Sequence, residues 1–446
     1  MGLTGLEIYK HLPKTNCKEC GSPTCLAFAM ALASGKASLE DCPYVSDEAK
    51  EALDSAAAPP IKLVSVGTGD HVVKLGEETE IFRHDKRFFH PTGVAVIISD
   101  TEDVAAKAEK FDDLEFDRVG MHYVTDMVAV KCDSGDAGKF KEAVETVAGI
   151  TQKAMILMTE DPGVMEGALE AVADRKPLVC AATGDNFEKM TELAKGKECP
   201  MVVKGNDIND LAELVEKVVG LGHKELVIDS GARETSQVLA DLTQFRRLAV
   251  RKKFRSFGYP AFAITTKDDP KEEIVQAGVY VSKYADVVAL KACEKQQLLP
   301  LLSWRQNLYT DPQKPIAVEA GLYDVGEPGD DAPVYVTTNF SLTYFIVEGE
   351  VESSRIPSRI LSVDTGGVSV LTAYADNKFS AETIAEAIKK CGLEDKVNHK
   401  KLVLPGHVAV LKGTLEEESG WEVMVGPREA SGITKYAKDN FAGGVK

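Results

Sequence analysis

Short runs of apolar and β-branched residues recur through the middle of this chain, and stretches with helical periodicity lie between them. The first run spans Gly93–Ser99, and eight more begin at Val128, Met155, Leu178, Met201, Leu226, Ala261, Val287 and Ile316. Their starts are 23 to 35 residues apart, which suits one strand, one helix and two short loops. Near-continuous apolar strands are typical of parallel sheets covered on both faces. The pattern therefore predicts a central TIM (β/α)8 barrel, with an open doubly wound sheet as the alternative.

Two segments rich in turn-forming residues divide the chain. Residues 54–60 read DSAAAPP and residues 326–333 read GEPGDDAP, and neither sequence favours a continuing helix. Such segments are typical of connections between domains, so we predict an α/β multidomain protein. The predicted domains are residues 1–60, residues 61–325 with 61–92 as a lead-in segment, and residues 326–446.

The last domain repeats the alternation of strands and helices on a smaller scale. Its strand-like runs begin at Val334, Ile360, Lys401 and Trp421. Each run is followed by a loop that contains glycine or small polar residues, and open α/β sheets bind ligands at these carboxyl ends. The sequence therefore predicts a flavodoxin-like α/β domain with one ligand crevice.

Four cysteines near the start of the chain, Cys17, Cys20, Cys25 and Cys42, have the spacing C-x2-C-x4-C-x16-C. Soft thiolates select iron-sulfur clusters or zinc. Three ligands on one compact loop and a fourth after a helical segment suit a [4Fe-4S] cluster. Structural zinc is the alternative, although zinc sites more often use two CxxC-type pairs, and unligated thiols are the third interpretation. We predict a small N-terminal [4Fe-4S] domain with these four metal ligands.

Charge and composition exclude several classes of function. The chain has 52 Lys and Arg against 70 Asp and Glu, a net charge of −18, so we expect no nucleic acid partner. There is no apolar run of roughly eighteen residues and no secretory signal, so we expect a cytoplasmic protein without a membrane segment. Disulfides are rare in that compartment. The remaining five cysteines are expected to be small core residues, namely Cys132, Cys180, Cys199, Cys293 and Cys391.

Several segments resemble those of a known family. They are KTNCKECGSPTCLAFAMALASGKASLEDCPY at the start, and TTNFSLTYF, VDTGGVSVLTAYADNKFSAETIA and LPGHVAVLKGTLEEESGWEVMVGP in the last domain. With a barrel between them, they are similar to the large (gamma) subunit of the corrinoid iron-sulfur protein of the acetyl-CoA (Wood-Ljungdahl) pathway. That family is related to a subunit of archaeal acetyl-CoA decarbonylase/synthase. The likeness covers essentially the whole chain.

The resemblance implies a methyl carrier in a corrinoid-dependent methyltransferase system. A corrinoid on the C-terminal domain would accept a methyl group on Co(I) from methyltetrahydrofolate, through a methyltransferase, and pass it to acetyl-CoA synthase. The [4Fe-4S] cluster would reduce Co(II) formed by accidental oxidation. The implied partners are a small subunit that forms a heterodimer, the methyltransferase, carbon monoxide dehydrogenase/acetyl-CoA synthase and a low-potential donor such as ferredoxin. The alternative is a pterin-dependent methyltransferase with a catalytic TIM barrel and an accessory cluster.

The resemblance also implies where the corrinoid would bind. The stretch from Val370 to Ala373 is expected near the lower corrin face. None of the eight histidines fits the motif D-x-H-x-x-G, so the corrinoid is expected to be base-off without a protein histidine ligand. Each glycine among the candidates is equally well explained as closing a turn or capping a helix. The predicted contacts are Thr338, Phe340, Ser341, Thr343, Ile346, Val370, Leu371, Thr372, Ala373, Gly406 and Gly426.

Acidic and amide residues follow several predicted barrel strands, where TIM barrels keep their catalytic groups. They are Asp133, Glu160, Asp161, Asp185, Asn206, Asp207 and Asp229. No motif ties them to a reaction, so the barrel is predicted to be a scaffold and partner surface, and no catalytic residue is predicted.

Overall fold

The computed structural model describes residues 5–33, 37, 41–46, 49, 59–111, 114–118 and 121–442. Residue contacts divide the chain into two units. The first contains the described residues within 1–81, 89–109 and 126–292, and the second contains those within 82–88, 110–125 and 293–446. The second unit therefore takes up residues 293–325, which the predicted boundary at 326 leaves with the barrel. Most of the predicted linker at 54–60 lies outside the described residues.

Two short helices, α1 (Gly5–His11) and α2 (Cys25–Ala33), form the N-terminal segment. Ile8 and Phe28 are buried in a small core that is distinct from the barrel core. Gly5 lets the two helices approach closely, because a Cβ atom at this position would collide with Met30. Helix α2 separates the third and fourth predicted cysteine ligands, as the spacing predicts.

Eight parallel strands form the centre of the first unit. A parallel bridge between Ile228 and Ala261 joins the two edge strands, so the sheet is a nearly closed barrel. The predicted central barrel is confirmed, and the open-sheet alternative is wrong. The barrel strands are β1 (Gly93–Ser99), β2 (Met127–Lys131), β3 (Ala154–Met158), β4 (Leu178–Ala182), β5 (Met201–Lys204), β6 (Leu226–Asp229), β7 (Phe262–Ile264) and β8 (Val287–Leu290).

One helix follows each barrel strand. Aspartates in the strand-to-helix loops cap four of these helices, because their carboxylates accept the free backbone N–H groups of the first turn. The caps are Asp136, Asp161, Asp207 and Asp269. The helices are α3 (Val104–Glu109), α4 (Ala137–Ile150), α5 (Pro162–Val172), α6 (Phe187–Gly196), α7 (Ile208–Gly220), α8 (Thr235–Lys252), α9 (Pro270–Ser282) and α10 (Lys295–Tyr309).

A hairpin in the lead-in segment covers the amino-terminal end of the barrel. It pairs Val64–Val66 with Val73–Leu75 in antiparallel register. Val64, Val66 and Leu75 are fully buried in the same cluster as Ala154, Met127 and other barrel-interior residues. Apolar packing of the lead-in segment therefore closes this end of the barrel.

Three charged side chains are buried at the same end. Arg246 lies 3.8 Å from Glu78, donates to the Glu80 carbonyl oxygen at 3.0 Å, and stacks over Tyr284 at 4.6 Å. Asp286 accepts the backbone N–H of Ala261 at 2.7 Å. Burial raises the pKa of Glu78 to about 7 and also raises the pKa of Asp286, although the nearby Arg246 opposes both shifts.

The second unit is built on a five-stranded sheet of β9 (Gly321–Val325), β10 (Val334–Thr338), β11 (Ser358–Val363), β12 (Lys401–Leu404) and β13 (Glu422–Val425). The order of the strands in this sheet is β9-β11-β10-β12-β13. Its four parallel strands are those that the sequence predicts, and the antiparallel edge strand β9 was not predicted. Strands β10 and β12 share a single register pair, Tyr335 with Val403.

Helices cover both faces of this sheet. They are α11 (Ser341–Ser354), α12 (Val370–Ala375), α13 (Ala381–Lys390), α14 (Lys412–Ser419) and α15 (Ile433–Phe441). None of the helices that the structure describes has both the length and the apolar character that crossing a bilayer requires.

The apolar run at Ile316 forms no barrel strand, which corrects the ninth strand-like element of the sequence pattern. Its neighbour Ala317 makes an isolated antiparallel bridge to Phe340 within the second unit. Helix α10 also belongs to this unit, where Arg305 donates to the Val124 carbonyl oxygen at 3.2 Å. Residues 326–333 are a loop between β9 and β10, so they connect two strands of the same unit.

The scattered cysteines are only partly core residues. Cys180 and Cys199 are buried, as predicted. The prediction is wrong for Cys132 and Cys293, which are part-exposed, while Cys391 is part-exposed but packs against a core of the second unit. Cys132 and Cys293 lie just beyond the carboxyl ends of β2 and β8, where the barrel opens to solvent, and Cys391 caps the end of α13.

Candidate functional site

The four predicted cluster ligands lie around helix α2. Cys17 and Cys20 are part-exposed on the loop before the helix, Cys25 is its first residue, and Cys42 is buried beyond it. Cys25 and Cys42 belong to the small N-terminal core, and Cys20 packs against that core. Three of the four predicted ligands therefore share a small apolar core, and Cys17 is not among its residues.

Two polar contacts organise this segment. Asn16 accepts the backbone N–H of Cys25 on its Oδ1 atom at 2.8 Å, and its own N–H donates to the Cys25 Sγ atom at 3.4 Å. Tyr44 donates to Glu19 at 2.9 Å and so links the Cys42 end to the cysteine loop. The hydrogen bond to Glu19 raises the pKa of Tyr44 and keeps its hydroxyl a donor.

The donor set has the chemistry that an iron-sulfur cluster requires. Four free thiols come from one short segment, and thiolates are the usual ligands of such clusters. Within the described residues, no three His, Cys, Asp or Glu side chains are arranged to hold a metal ion. The residue types and their shared core fit a cluster, while the assignment of all four cysteines as ligands stays a prediction.

In the C-terminal sheet, Asn339 fixes two loops at the carboxyl ends of β10 and β11. Its Oδ1 atom accepts hydrogen bonds from the backbone N–H groups of Thr365 and Gly367 and from the Thr365 hydroxyl, each at 3.0 Å. Gly366 and Gly367 have φ angles of 69° and 76°, which glycine adopts without strain. This buried clamp sets where the following helix α12 begins.

A cavity of about 320 Å³ opens between β10 and β12, where the two strands are joined by one register pair. Five predicted corrinoid contacts line it, on helices α11 and α12 and on the loop after β13. They are Thr343, Ile346, Val370, Leu371 and Gly426. Its volume is at the lower end of the range for small-molecule sites, so it suits one ring-sized group.

The remaining predicted contacts lie elsewhere. Phe340 and Ser341 line a second cavity of about 610 Å³ in the same unit, beside Trp304. Thr338 and Ala373 are fully buried, and Thr372 is exposed with its hydroxyl 3.2 Å from that of Ser369. Gly406 packs on the loop after β13, where a Cβ atom would lie 2.6 Å from the Gly426 carbonyl oxygen. The structure thus gives Gly406 a packing role.

Two strand residues that line the first cavity carry hydroxyl groups. The Thr337 Oγ1 and Tyr335 hydroxyl atoms are buried and have no hydrogen-bond partner in the described structure. Burial raises the pKa of Tyr335, so its hydroxyl stays protonated. His407 lines the cavity and lies 3.4 Å from Glu429. Unpaired buried hydroxyls are uncommon and require an explanation, which a hydrogen-bonding ligand would provide.

Several cavity residues were missed by sequence reasoning. Tyr335, Thr337 and Val403 are buried strand residues, and Tyr335 and Val403 form the register pair that joins β10 to β12. Arg428 and Glu429 belong to the loop GPRE after β13, so the carboxyl-end rule could have found them.

The acidic residues at the barrel strand ends fall into two groups. Asp161 and Asp207 cap helices, and Asn206 bonds to Asp210 at 3.0 Å, so these are structural. Asp185 is an exposed turn residue. The other group lies at the open carboxyl-terminal end of the barrel and forms ion pairs. They join Lys131 to Asp133 at 2.6 Å, Lys204 to Glu160 at 2.6 Å, and Arg233 to Asp229 at 2.9 Å.

Comparisons with known proteins agree with these features. A family model described as "CO dehydrogenase/acetyl-CoA synthase delta subunit" matches residues 63–437, and one described as "Putative Fe-S cluster" matches residues 12–44. A corrinoid/iron-sulfur protein large subunit from Moorella thermoacetica is 60% identical over 99% of this chain and 100% of that protein. An acetyl-CoA decarbonylase/synthase complex subunit gamma from Methanopyrus kandleri is 38% identical over 97% of both chains.

Among solved structures, a dihydropteroate synthase from Xanthomonas albilineans covers 52% of this chain and 99% of its own, with 14% identity and a TM-score of 0.38. The likeness to the Moorella and Methanopyrus subunits, by contrast, extends over nearly the full length of each chain. The predicted family is confirmed: this chain belongs to the family of corrinoid/iron-sulfur protein large subunits and acetyl-CoA decarbonylase/synthase gamma subunits.

Proposed function

We propose that this chain is a methyl carrier of the acetyl-CoA pathway. It would receive a methyl group from methyltetrahydrofolate, through a methyltransferase, on a corrinoid held by the C-terminal domain within residues 326–446, and deliver it to acetyl-CoA synthase. The observation that carries the proposal is the cavity between β10 and β12, with its unpaired buried hydroxyls, in a chain whose relatives are named corrinoid/iron-sulfur proteins.

The topology of the sheet supports this proposed corrinoid site. The parallel strands run in the order β11-β10-β12-β13, so chain order reverses between β10 and β12, as in a flavodoxin-like domain. Ligands of such sheets bind at this reversal, which is where the cavity lies. Ile346, Val370 and Leu371 would pack against the corrin, and Thr337 would donate to a polar group of the ligand. When bound, the corrinoid supplies a cobalt atom that takes up and releases the methyl group.

We further propose that cobalt has no protein histidine ligand and that the corrinoid is base-off. His407 lines the cavity but lies 3.4 Å from Glu429, which would hold its ring on the rim. The chain would then leave cobalt without a strong lower donor and make Co(I) easier to reach.

The N-terminal segment would bind a [4Fe-4S] cluster through Cys17, Cys20, Cys25 and Cys42. Burial of Cys25 and Cys42 against Phe28 would shield one side from water, while the part-exposed Cys17 and Cys20 would leave a side open to an electron donor such as ferredoxin. The cluster would reduce cobalt after accidental oxidation. The remaining proposed partners are a small subunit that completes a heterodimer, the methyltransferase and carbon monoxide dehydrogenase/acetyl-CoA synthase.

Metal analysis of the purified full-length protein tests this function directly. We expect about one cobalt and four iron per chain, together with a corrinoid absorption spectrum. Iron without cobalt would leave an electron-transfer scaffold, and zinc in place of iron would reject the cluster. Methyl transfer from methyltetrahydrofolate by this chain alone would favour the alternative of a catalytic barrel.

Replacing Cys20 separates the role of the cluster from methyl transfer. In Cys20→Ala, we expect loss of the cluster's electron paramagnetic resonance signal and of Co(II) reactivation, while transfer from protein that is already methylated continues. Cys391→Ala is the matched control, because that thiol is part-exposed in the C-terminal domain. Normal reactivation in Cys20→Ala would contradict the proposed repair role.

A further inference from the structure

The barrel has two adjoining cavities at the carboxyl ends of its strands. Their volumes are about 410 and 320 Å³, and both are lined by Lys131, Arg233 and Ile264, so they form one basin, here called the barrel mouth. Ligands of TIM barrels bind at this end. The methyl-carrier function proposed above makes no use of this basin.

The floor of the barrel mouth is apolar and neutral. Met158, Phe262 and Ile264 line it together with Cys180. Burial raises the pKa of the Cys180 thiol to about 12, so its sulfur stays protonated at neutral pH. Such a floor suits the uncharged body of a small organic molecule.

The rim of the barrel mouth is rich in cations for a chain with a net charge of −18. Five basic side chains line it against four carboxylates. The basic residues are Lys107, Lys131, Lys204, Arg233 and Lys291. This small excess of positive charge at a concave surface favours an anionic ligand over a cationic one.

Four of the five rim cations pair with carboxylates that are more than one third exposed, including Lys131 with Asp133 (38%) and Lys107 with Glu102 (47%). Lys291 pairs with Asp268, whose side chain is 99% exposed, and Lys204 pairs with Glu160, which is 55% exposed. Exposed ion pairs contribute little to stability, so a ligand anion can replace these carboxylates at low cost. Asp229 differs, because it is 5% exposed and holds Arg233 through two contacts of 2.9 and 3.1 Å.

One side of the barrel mouth also carries hydroxyl groups, of which Thr265 donates to Glu273 at 2.6 Å and Ser99 donates to Asp133 at 2.7 Å. Thr265 and Thr266 follow β7, Lys291 follows β8, and Ser99 ends β1, and all four line the smaller cavity. Loops after the seventh and eighth strands of a TIM barrel frequently form phosphate sites. Lysines beside hydroxyls at this place can bind the oxygens of a phosphate or a carboxylate.

We propose that the barrel mouth binds a small organic anion that nothing in the methyl-carrier chemistry requires. Its phosphate or carboxylate group lies between Lys131 and Lys291 beside the Thr266 hydroxyl, and its apolar body lies over Met158 and Phe262. Arg233, fixed by Asp229, forms the wall between the two parts of the basin.

Calorimetric titration of the full-length protein with inorganic phosphate and, separately, with malonate tests this site. We expect saturable binding of at least one anion, and the anion that binds identifies the group the site prefers. Lys131→Met and Lys291→Met should each weaken binding by about tenfold, since a charge-assisted contact is lost. Lys291→Arg should restore it, which separates lost charge from lost fold.

Lys62→Met is the matched control. Lys62 has a similar exposure, 37%, and a carboxylate partner in Glu225, but it follows the Pro59–Pro60 segment and does not line the barrel mouth. This variant should bind the anion as the wild type does. Absence of saturable binding for both anions, or equal weakening in Lys62→Met and Lys291→Met, would overturn the proposal.

Discussion

The two ends of the barrel treat charge in opposite ways. At the amino-terminal end, Glu78, Arg246 and Asp286 are nearly inaccessible to solvent, with exposures of 2%, 3% and 5%. At the carboxyl-terminal end, ion pairs such as Lys204 with Glu160 lie on an open rim. The first set is buried, and the second surrounds a basin that solvent can enter.

This difference separates stability from binding within one scaffold. A buried charge cannot change partner without a large loss of free energy, because its alternative is an uncompensated charge in an apolar environment. An exposed charge exchanges partners easily, because water screens it. The amino-terminal end is therefore expected to determine the stability of the barrel, while the carboxyl-terminal end is free to exchange ligands.

The largest effect is expected for Arg246→Met. This change leaves Glu78 and Asp286 buried without their common positive neighbour, so we expect a loss of about 3 to 5 kcal/mol in the free energy of unfolding. Urea unfolding at pH 7.5 measures it. Arg247→Met is the control, because Arg247 is an exposed neighbour on the same helix. Equal losses in the two variants would remove the distinction between the ends.

The pH dependence of stability should come next. Glu78 has a pKa of about 7 in the folded protein against 4.5 as its ordinary value. Below 4.5 the carboxyl is protonated in both states. Between 4.5 and 7 the unfolded chain loses this proton first, so stability should fall as pH rises, by about 3 kcal/mol for this group. Above pH 7 the loss is complete and constant.

Glu78→Gln isolates this contribution. Glutamine can still accept the backbone N–H groups of Phe89 and His90 that Glu78 accepts, but it does not titrate. Unfolding free energies measured from pH 5 to 8 should fall less steeply in this variant than in the wild type. Asp286, whose pKa burial also raises, will leave a residual slope in the same direction. Identical slopes would show that Glu78 is not the titrating group.

A smaller effect is expected for Asp229→Asn at the barrel mouth. In the wild type, the Gly231 N–H donates to Asp229 at 2.8 Å, and the amide oxygen of the variant can keep this hydrogen bond. The negative charge opposite Arg233 is lost. We expect a loss of about 1 to 2 kcal/mol in urea unfolding, because the carboxylate is buried while Arg233 is part-exposed. Asp185→Asn, in an exposed turn, should change nothing measurable.

The smallest effect is expected for Lys204→Met on the exposed rim. Its pair with Glu160 should contribute less than about 1 kcal/mol, and that contribution should shrink further at high salt. Thermal unfolding at low and high ionic strength measures both. A loss as large as that of Asp229→Asn would mean that the rim is structural, which would also weaken the case for ligand exchange there.

The barrel could be predicted because its signals are local. Each strand is a continuous apolar run, and aspartates such as Asp161 and Asp207 cap the helices that follow. The run at Ile316 misled because an apolar stretch does not specify its pairing partner. Ala317 bridges to Phe340, far along the chain, and that contact depends on how the second unit folds.

The candidate cofactor site was only partly predictable. Thr343 and Gly426 were found because loops and helix starts at the carboxyl ends of parallel strands converge, and Val370 was found through the family resemblance. Phe340 and Ser341 follow the same strand as Thr343 but line a different cavity, and chain position alone does not distinguish the two directions. Tyr335, Thr337 and Val403 were missed because buried strand residues are ordinarily core residues, and no sequence pattern reports that β10 and β12 share one register pair.

The single register pair between β10 and β12 has a consequence for how long the C-terminal domain survives in the cell. A sheet joined at one point is a weak seam, along which local opening, backbone amide exchange and protease cleavage should begin. Any ligand seated in that seam stabilises the closed form in proportion to its concentration and affinity. Loaded and empty molecules would therefore differ in lifetime, so turnover itself would select for the chains that carry their cofactor.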